Sequence, residues 1–170
     1  MSIVREEKIS QFERIFKDMG DAIFRHFYYQ LGNRERAKEL TQEVFMRTWQ
    51  HLASGKDIRH EKAFLYTVAH NLFVNEIRAK RPVDSLDELT EATGYEIEDA
   101  VANPFTYSEQ QELIRHLQRL PNTYREVLIM RYIEDMAVKD IAKLLHEKET
   151  NISMRIARGI QKLRSHYNKE

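Results

Sequence analysis

The stretch spanning residues 140–164, DIAKLLHEKETNISMRIARGIQKLR, decides how the rest of the chain is read. Ile141, Leu144 and Leu145, with Val138 just upstream, share one helical face. The rhythm lapses across HEKETN (146–151). Ile152, Ile156, Ile160 and Leu163 then restore it as one narrow stripe. Arg155, Arg158 and Lys162 form a second stripe roughly a third of a turn away, and Asn151 projects near it at the helix start. Two helices joined by a short turn, His146 to Thr150, are expected to form a helix-turn-helix. Its second helix would offer a polar face to the major groove. There Arg can donate two hydrogen bonds to guanine, Asn can pair with an adenine edge and Lys can neutralise phosphate. Periodicity alone suits a solvated basic surface helix equally well.

Composition widens the frame. The 170 residues carry 27 Lys/Arg and 27 Asp/Glu, a formal net charge of zero. That neutrality conceals a pattern. Residues 1–81 hold 15 basic and 11 acidic residues, residues 82–111 hold none and eight, and residues 112–170 hold 12 and eight. Two mildly basic blocks therefore flank an acidic connector. Five Gly and three Pro argue against a turn-rich β fold. No apolar run approaches the roughly 20 residues of a membrane span, and MSIVREEKISQFERIF lacks the apolar core of a signal peptide. The absence of cysteine excludes disulfides, thiolate nucleophiles and thiolate zinc sites, and fits a reducing cytoplasm.

Upstream, periodicity predicts four helices. The first carries Ile9, Phe12, Phe16 and Met19 at helical spacing. The second is DAIFRHFYYQL, closed by a C-cap glycine, Gly32, and followed by Asn33 as an N-cap. A third repeats Ala37, Leu40, Val44, Thr48 and Leu52, and ASGKDIRH breaks it. A fourth runs from Glu61 to Pro82, with Phe64, Val68, Leu72 and Ile77 as its expected core residues. Between Pro82 and about Tyr107 the periodicity fades into a linker with room for one short helix. Ser108 and Gln111 then read as a capping box, and Pro121 begins a further helix. The expected architecture is all-α, with domains at 1–81 and 108–170 joined by an acidic linker at 82–107. Histidines at metal-ligand spacing, a phosphate-cradling glycine loop and an isolated general acid are all missing. No catalytic residue, metal or cofactor is therefore expected.

The residues of the second block, LPNTYREVLIMRYIEDMAVKDIAKLLHEKETNISMRIARGIQKLR, resemble region 4 of bacterial RNA polymerase sigma factors of the extracytoplasmic-function group. The motifs are Leu120-Pro121, Arg125 to Leu128, Asp140-Ile141-Ala142, Ser153 to Arg155 and Lys162-Leu163-Arg164. LGNRERAKELTQEVFMRTWQHL and AFLYTVAHNLFVNEIR are similar to the two halves of sigma region 2. The resemblance covers nearly the whole chain except the connector. It implies a four-helix region 2 domain and a region 4 helix-turn-helix domain.

The resemblance also implies roles. Glu39, Gln42 and Glu43 would bind core RNA polymerase at the clamp helices of its largest subunit, with the flap as a further contact. Tyr66, His70, Asn71 and Arg78, with Lys56, Arg59 and His60 in the loop before them, would melt and hold the minus-ten promoter element. Asn151, Ser153, Arg155, Arg158 and Lys162 would read the minus-thirty-five element. The chain would act in the cytoplasm and at the nucleoid without inserting into a membrane. An anti-sigma factor, often membrane-anchored in the family, is the implied inhibitor. Two other readings stay open: a stand-alone helix-turn-helix regulator, and a sigma-like protein-interaction module. Tyr66 suits core and DNA contact equally. Departures fall at Thr67 and His70, where the family is often basic, and at Asn75, where it is often acidic. His146 stands where Gly is usual and Glu147 where an apolar residue is common. Ala137 stands where a Ser or Thr cap is common, leaving Asp135 as the nearest alternative cap.

Overall fold

A computed structural model describes residues 2–80 and 107–169, and the expected linker lies outside these except for Tyr107. All regular structure in the described residues is helical. The order is α1 (Ser2–Leu31), α2 (Arg34–Ala53), α3 (Glu61–Ala79), α4 (Tyr107–Gln118), α5 (Asn122–Leu128), a π-helical turn (Ile129–Ile133), α6 (Val138–Leu145) and α7 (Glu149–Tyr167).

The first two expected helices are one, so the N-terminal domain has three helices rather than four. Gly20 does not adopt positive φ and α1 runs through it for 30 residues. A mid-helix glycine costs only about 1 kcal/mol relative to alanine. Burial of Ile15, Ile23 and Phe27 on either side of it offsets that cost. The buried stripe of α1 is also not the one periodicity suggested. Ile9 and Phe16 are exposed, and Phe12 and Met19 are half-buried.

The next boundary forms as its residues dictate. Gly32 takes φ 66°, and the Asn33 side chain accepts from the Arg36 amide at 2.9 Å. Helix α2 buries Ala37, Leu40, Val44, Thr48 and Leu52, the expected set, together with Phe45. Arg36 ties α2 to α3 through Glu76, with Nε on Oε1 at 2.9 Å and Nη2 on Oε2 at 2.5 Å. In α3, Leu72 is buried, whereas Phe64, Val68 and Ile77 are only half-buried. Leu65, Tyr66, Ala69 and Phe73 fill the interior instead.

In the second domain Ser108 sits inside α4 rather than capping it, and Gln111 spends its amide elsewhere, donating to the Tyr28 hydroxyl at 2.9 Å. After α5 the helix widens: the Glu134 amide reaches back five residues to the Ile129 carbonyl at 3.0 Å. Helix α7 crosses α5 closely. A β-carbon added at Gly159 would lie 3.2 Å from the Leu128 side chain, so this position favours glycine.

The two domains share one core, with Ile114, Leu117 and Leu120 buried together with Tyr28, Tyr29 and Leu31. The junction is the C-terminus of α1. The last carbonyls of a helix lack intrahelical partners. Here Gln118 Nε2 donates to the Tyr29 and Gln30 carbonyls at 3.1 and 3.0 Å, and Arg125 Nη1 donates to the Gln30 carbonyl at 2.6 Å. Arg125 also holds the end of α4 through the carbonyls of Leu117 (2.8 Å), Gln118 (3.3 Å) and Leu120 (2.8 Å). Burial pushes its guanidinium down to about 10, still charged at neutral pH. Arg125→Ala strands these carbonyls, and hydrogen bonds to a charged group contribute about 1.5–3 kcal/mol each. Urea unfolding of the variant should show a loss of about 3 kcal/mol or more relative to wild type.

Candidate nucleic-acid interface

The helix-turn-helix is present and tighter than expected. The turn occupies only His146 to Lys148, and Thr150 and Asn151 already lie within α7. His146 adopts φ 54° and ψ 42°, the left-handed conformation that glycine usually supplies. The Glu147 amide closes the end of α6 on the Ala142 carbonyl at 2.9 Å. Glu147 pairs with Arg155, which gives this acidic departure a structural role. Asp135 does not cap α6. It is exposed, takes φ 51° and lies 3.8 Å from Arg131, while Ala137 precedes the helix without a side-chain cap.

Ile152, Ile156 and Gly159 face the interior, with Ile160 and Leu163 half-buried. On the other side Asn151, Ser153, Arg158 and Lys162 are exposed and Arg155 is half-buried. Asn151, Arg155 and Arg158 converge on a shallow depression of about 280 Å³ that Tyr124 and Met154 also line. The Lys162 ammonium stands 5.6 Å from the Tyr124 ring. This face can donate hydrogen bonds and neutralise phosphate, and it is open to solvent.

A second cationic cluster lies on the loop between α2 and α3, where Lys56, Arg59 and His60 are exposed. The N-terminal half of α1 fixes that loop. Lys8 donates to the Lys56 carbonyl at 3.2 Å and pairs with Asp57, Gln11 donates to the Ile58 carbonyl at 3.2 Å, and Arg14 grips Glu61 at 2.6 and 2.9 Å. Further along α3, Asn71 and Arg78 are exposed.

Tyr66 and His70 are placed differently. Tyr66 is 1% exposed and donates its hydroxyl to the Glu134 carboxylate. Burial, then the Glu134 charge, raises its hydroxyl well above the usual phenol range. His70 Nδ1 meets the Glu126 carboxylate. Beside them His26 is wholly buried and pushed down to about 3, chiefly by burial. Burial likewise raises Glu134. Both sequence candidates thus touch the second domain.

On α2, Glu39, Gln42 and Glu43 share the outward face, where Glu39 pairs with Arg36 at 2.5 Å and Glu43 with Arg47 at 2.7 Å. Sequence reasoning missed what adjoins them. Met46 and Phe16 are 49% and 54% exposed. With Ile9, Phe12, Phe45 and Trp49 they form an aromatic-rich surface, the Phe16 and Phe45 rings 4.9 Å apart edge-on. The signal was there in Met46, three residues after Glu43 on the same face.

The Sigma-70 region 2 family model matches residues 15–83, and the Sigma-70 region 4 family model matches residues 110–163. The extracytoplasmic-function RNA polymerase sigma factor SigW of Bacillus subtilis is 30% identical over 85% of this chain and 82% of its own length. The chain belongs to the extracytoplasmic-function sigma factors. SigM of the same organism is 28% identical over 92% of this chain and 95% of its own. Among solved structures, the sigma factor RpoE, crystallised in complex with the anti-sigma factor NepR from Bartonella quintana, has a similar fold. Its TM-score is 0.70 at 21% identity, over 91% of this chain and 95% of that one. Among the described residues no helix is long and apolar enough to cross a membrane, and no group of three or more ligating side chains could hold a metal ion.

Two features that hold these elements in place can be tested by stability. Glu76, which fixes α3 on α2, is held below its ordinary value of 4.5, first by its Arg36 hydrogen bond. A depressed carboxyl stabilises the fold above its unfolded value and stops doing so as pH falls through the folded one. The stability difference between wild type and Glu76→Gln should therefore be full at pH 7 and vanish on acidification below the ordinary carboxyl range, as followed by urea unfolding at each pH. At His146, a β-branched residue suits left-handed backbone poorly, so His146→Val should cost about 1–2 kcal/mol in the same assay.

Proposed function

We propose that this sigma factor reads its promoters at two separate sites while bound to core RNA polymerase. The observation that carries this reading is the outward polar face of α7, with Asn151, Ser153, Arg158 and Lys162 exposed and Arg155 half-buried, beside a packed apolar stripe. That face suits duplex readout of the minus-thirty-five element: Arg155 and Arg158 as base or phosphate donors, Lys162 as a phosphate contact and Asn151 as a base-edge partner. Lys56, Arg59, His60, Asn71 and Arg78, with Tyr66 and His70, are assigned to the minus-ten element. Cations, amides and rings suit a strand whose bases are unpaired.

The α2 face of Glu39, Gln42 and Glu43 is assigned to the clamp helices of the polymerase's largest subunit. Its carboxylates suit a basic partner. The neighbouring Met46, Trp49 and Phe16 supply the apolar core that a stable interface needs. The domain at 108–170 would contact the flap. An anti-sigma factor is the inhibitor this reading implies, since the RpoE structure holds one. The factor works in the cytoplasm and catalyses no covalent step itself. A stand-alone regulator is not favoured, because relatives matched along most of their length are sigma factors.

Run-off transcription with core polymerase on the region upstream of the factor's own gene tests the reading, and a promoter-dependent transcript is expected. Arg155→Ala with Arg158→Ala should weaken promoter binding and lower its salt slope by about one per lost phosphate contact, leaving polymerase binding intact. Glu39→Lys with Glu43→Lys should abolish polymerase binding and spare the α7 contacts.

A further inference from the structure

Glu147 places an acid in the turn of the helix-turn-helix, beside a face assigned to polyanionic DNA. Its backbone is fixed on both sides. His146 carries the chain through the left-handed region, and the Glu147 amide closes the end of α6 on the Ala142 carbonyl at 2.9 Å. The carboxylate is thereby delivered to α7, where it accepts from Nη2 of Arg155. Arg155 lies six residues beyond the start of α7, about 9 Å along its axis. Long side chains on a helix lean towards its N-terminus, so the guanidinium reaches back to the turn. Both groups stay partly open to solvent, the Arg155 side chain 22% and the Glu147 side chain 29% exposed. They line one shallow depression with Asn151, Met154 and Arg158.

A carboxylate at this place weakens attraction to any DNA, because it occupies a cation that would otherwise neutralise phosphate. It also gives Arg155 something a free cation lacks. A guanidinium carries several donors in a rigid fork, and the carboxylate takes one of them, leaving others for the O6 and N7 of a guanine. Held in one arrangement, the side chain loses less freedom on binding, so more of the contact survives as preference for the right base. Position along the helix agrees. The N-terminal residues of a recognition helix meet base edges. Asn151 and Arg155 lie in the first two turns of α7, whereas the exposed Arg158 and Lys162 lie further along it.

We propose that Glu147 is a positioning residue for promoter recognition: it holds Arg155 as the reader of one guanine in duplex DNA and withholds that cation from phosphate, leaving Arg158 and Lys162 as the phosphate contacts. The proposal rests on the reading above, in which α7 meets the minus-thirty-five element. Specificity is a difference of affinities. The pair widens that difference from both ends, lowering attraction to unrelated duplex while sharpening the choice of base.

The test uses polymerase holoenzyme assembled with each full-length variant. Its probes are duplex fragments from upstream of the factor's own gene, with every base pair of the upstream footprint substituted in turn. Equilibrium binding is measured at several salt concentrations. Arg155→Ala should flatten the preference at one G·C pair by roughly five- to 150-fold and leave the salt slope as it was. Glu147→Leu should flatten the same pair by about fivefold or more, bind unrelated duplex more tightly and steepen the salt slope by about one, as Arg155 turns to phosphate. The two changes combined should flatten that pair no further than Arg155→Ala alone. Glu149→Gln removes an equal charge from an exposed position two residues away and should alter preference at no position. Full preference at that pair in Glu147→Leu overturns the proposal. So does an equal loss on every fragment, the result of a purely structural role, and so does flattening of the same pair by Glu149→Gln. Flattening at a different pair would make Glu147 a reader in its own right and overturn it too. If Arg155→Ala weakens all fragments equally and lowers the slope, Arg155 is a phosphate contact, and the proposal falls while the two-site reading stands. If Arg155→Ala, Arg158→Ala and Glu147→Leu leave the binding of every fragment unchanged, α7 is not the reader and the two-site reading falls as well.

Discussion

Much of this structure depends on one buried cation. Arg125 makes five hydrogen bonds. Four go to main-chain carbonyls, at the ends of α1 and α4 and in the turn before α5, and the fifth goes to the Gln118 side chain at 3.2 Å. Carbonyls at helix C-termini are unsatisfied and carry the negative end of the helix dipole, so a guanidinium suits them better than any neutral donor. Planarity matters as much as charge: one rigid fork reaches several carbonyls, which a lysine ammonium on a flexible stem would not. The price of burying the charge appears as a lowered pKa rather than as loss of the proton.

From that junction follow the other placements. Because α1 continues unbroken to Leu31, its C-terminus reaches the second domain while its N-terminal half still holds the loop at Lys56 to Glu61. The same helix thus fixes a cationic loop at one end and region 4 at the other. The π-helical turn adds the second constraint. It brings Glu134 against Tyr66 and Lys62, so that a buried phenol of α3 joins the first domain to the second.

The helix-turn-helix was legible because periods of three and four reported the buried face of α7, with Ile152 and Ile156 where the spacing put them. The α2 core and the Gly32-Asn33 boundary were equally legible, since each rests on local chemistry. The failures share a cause. The two helices expected on either side of Gly20 are one, because burial on both sides outweighs its weak helix propensity. Ile9 and Phe16 keep helical spacing yet are exposed, since spacing cannot tell a core stripe from a surface that adjoins another. Ser108 and Asp135 had the right chemistry for caps but no matching backbone, the first lying within α4 and the second at positive φ. Tyr66 and His70 could not be placed from sequence, because their partners, Glu134 and Glu126, lie 68 and 56 residues away. Glu147 looked like a flaw in the turn until Arg155, eight residues on, supplied its partner.

A promoter reader with two separate sites makes a distinct imprint on DNA. Hydroxyl-radical and permanganate footprinting of the polymerase holoenzyme on one promoter fragment would record both sites together. The account predicts an upstream protected duplex patch, with permanganate-reactive thymines about 25 base pairs downstream of it. Arg155→Ala with Arg158→Ala should erase the patch before the reactive thymines. A single continuous footprint without reactive thymines, or loss of strand opening with the upstream patch intact in that variant, would contradict it.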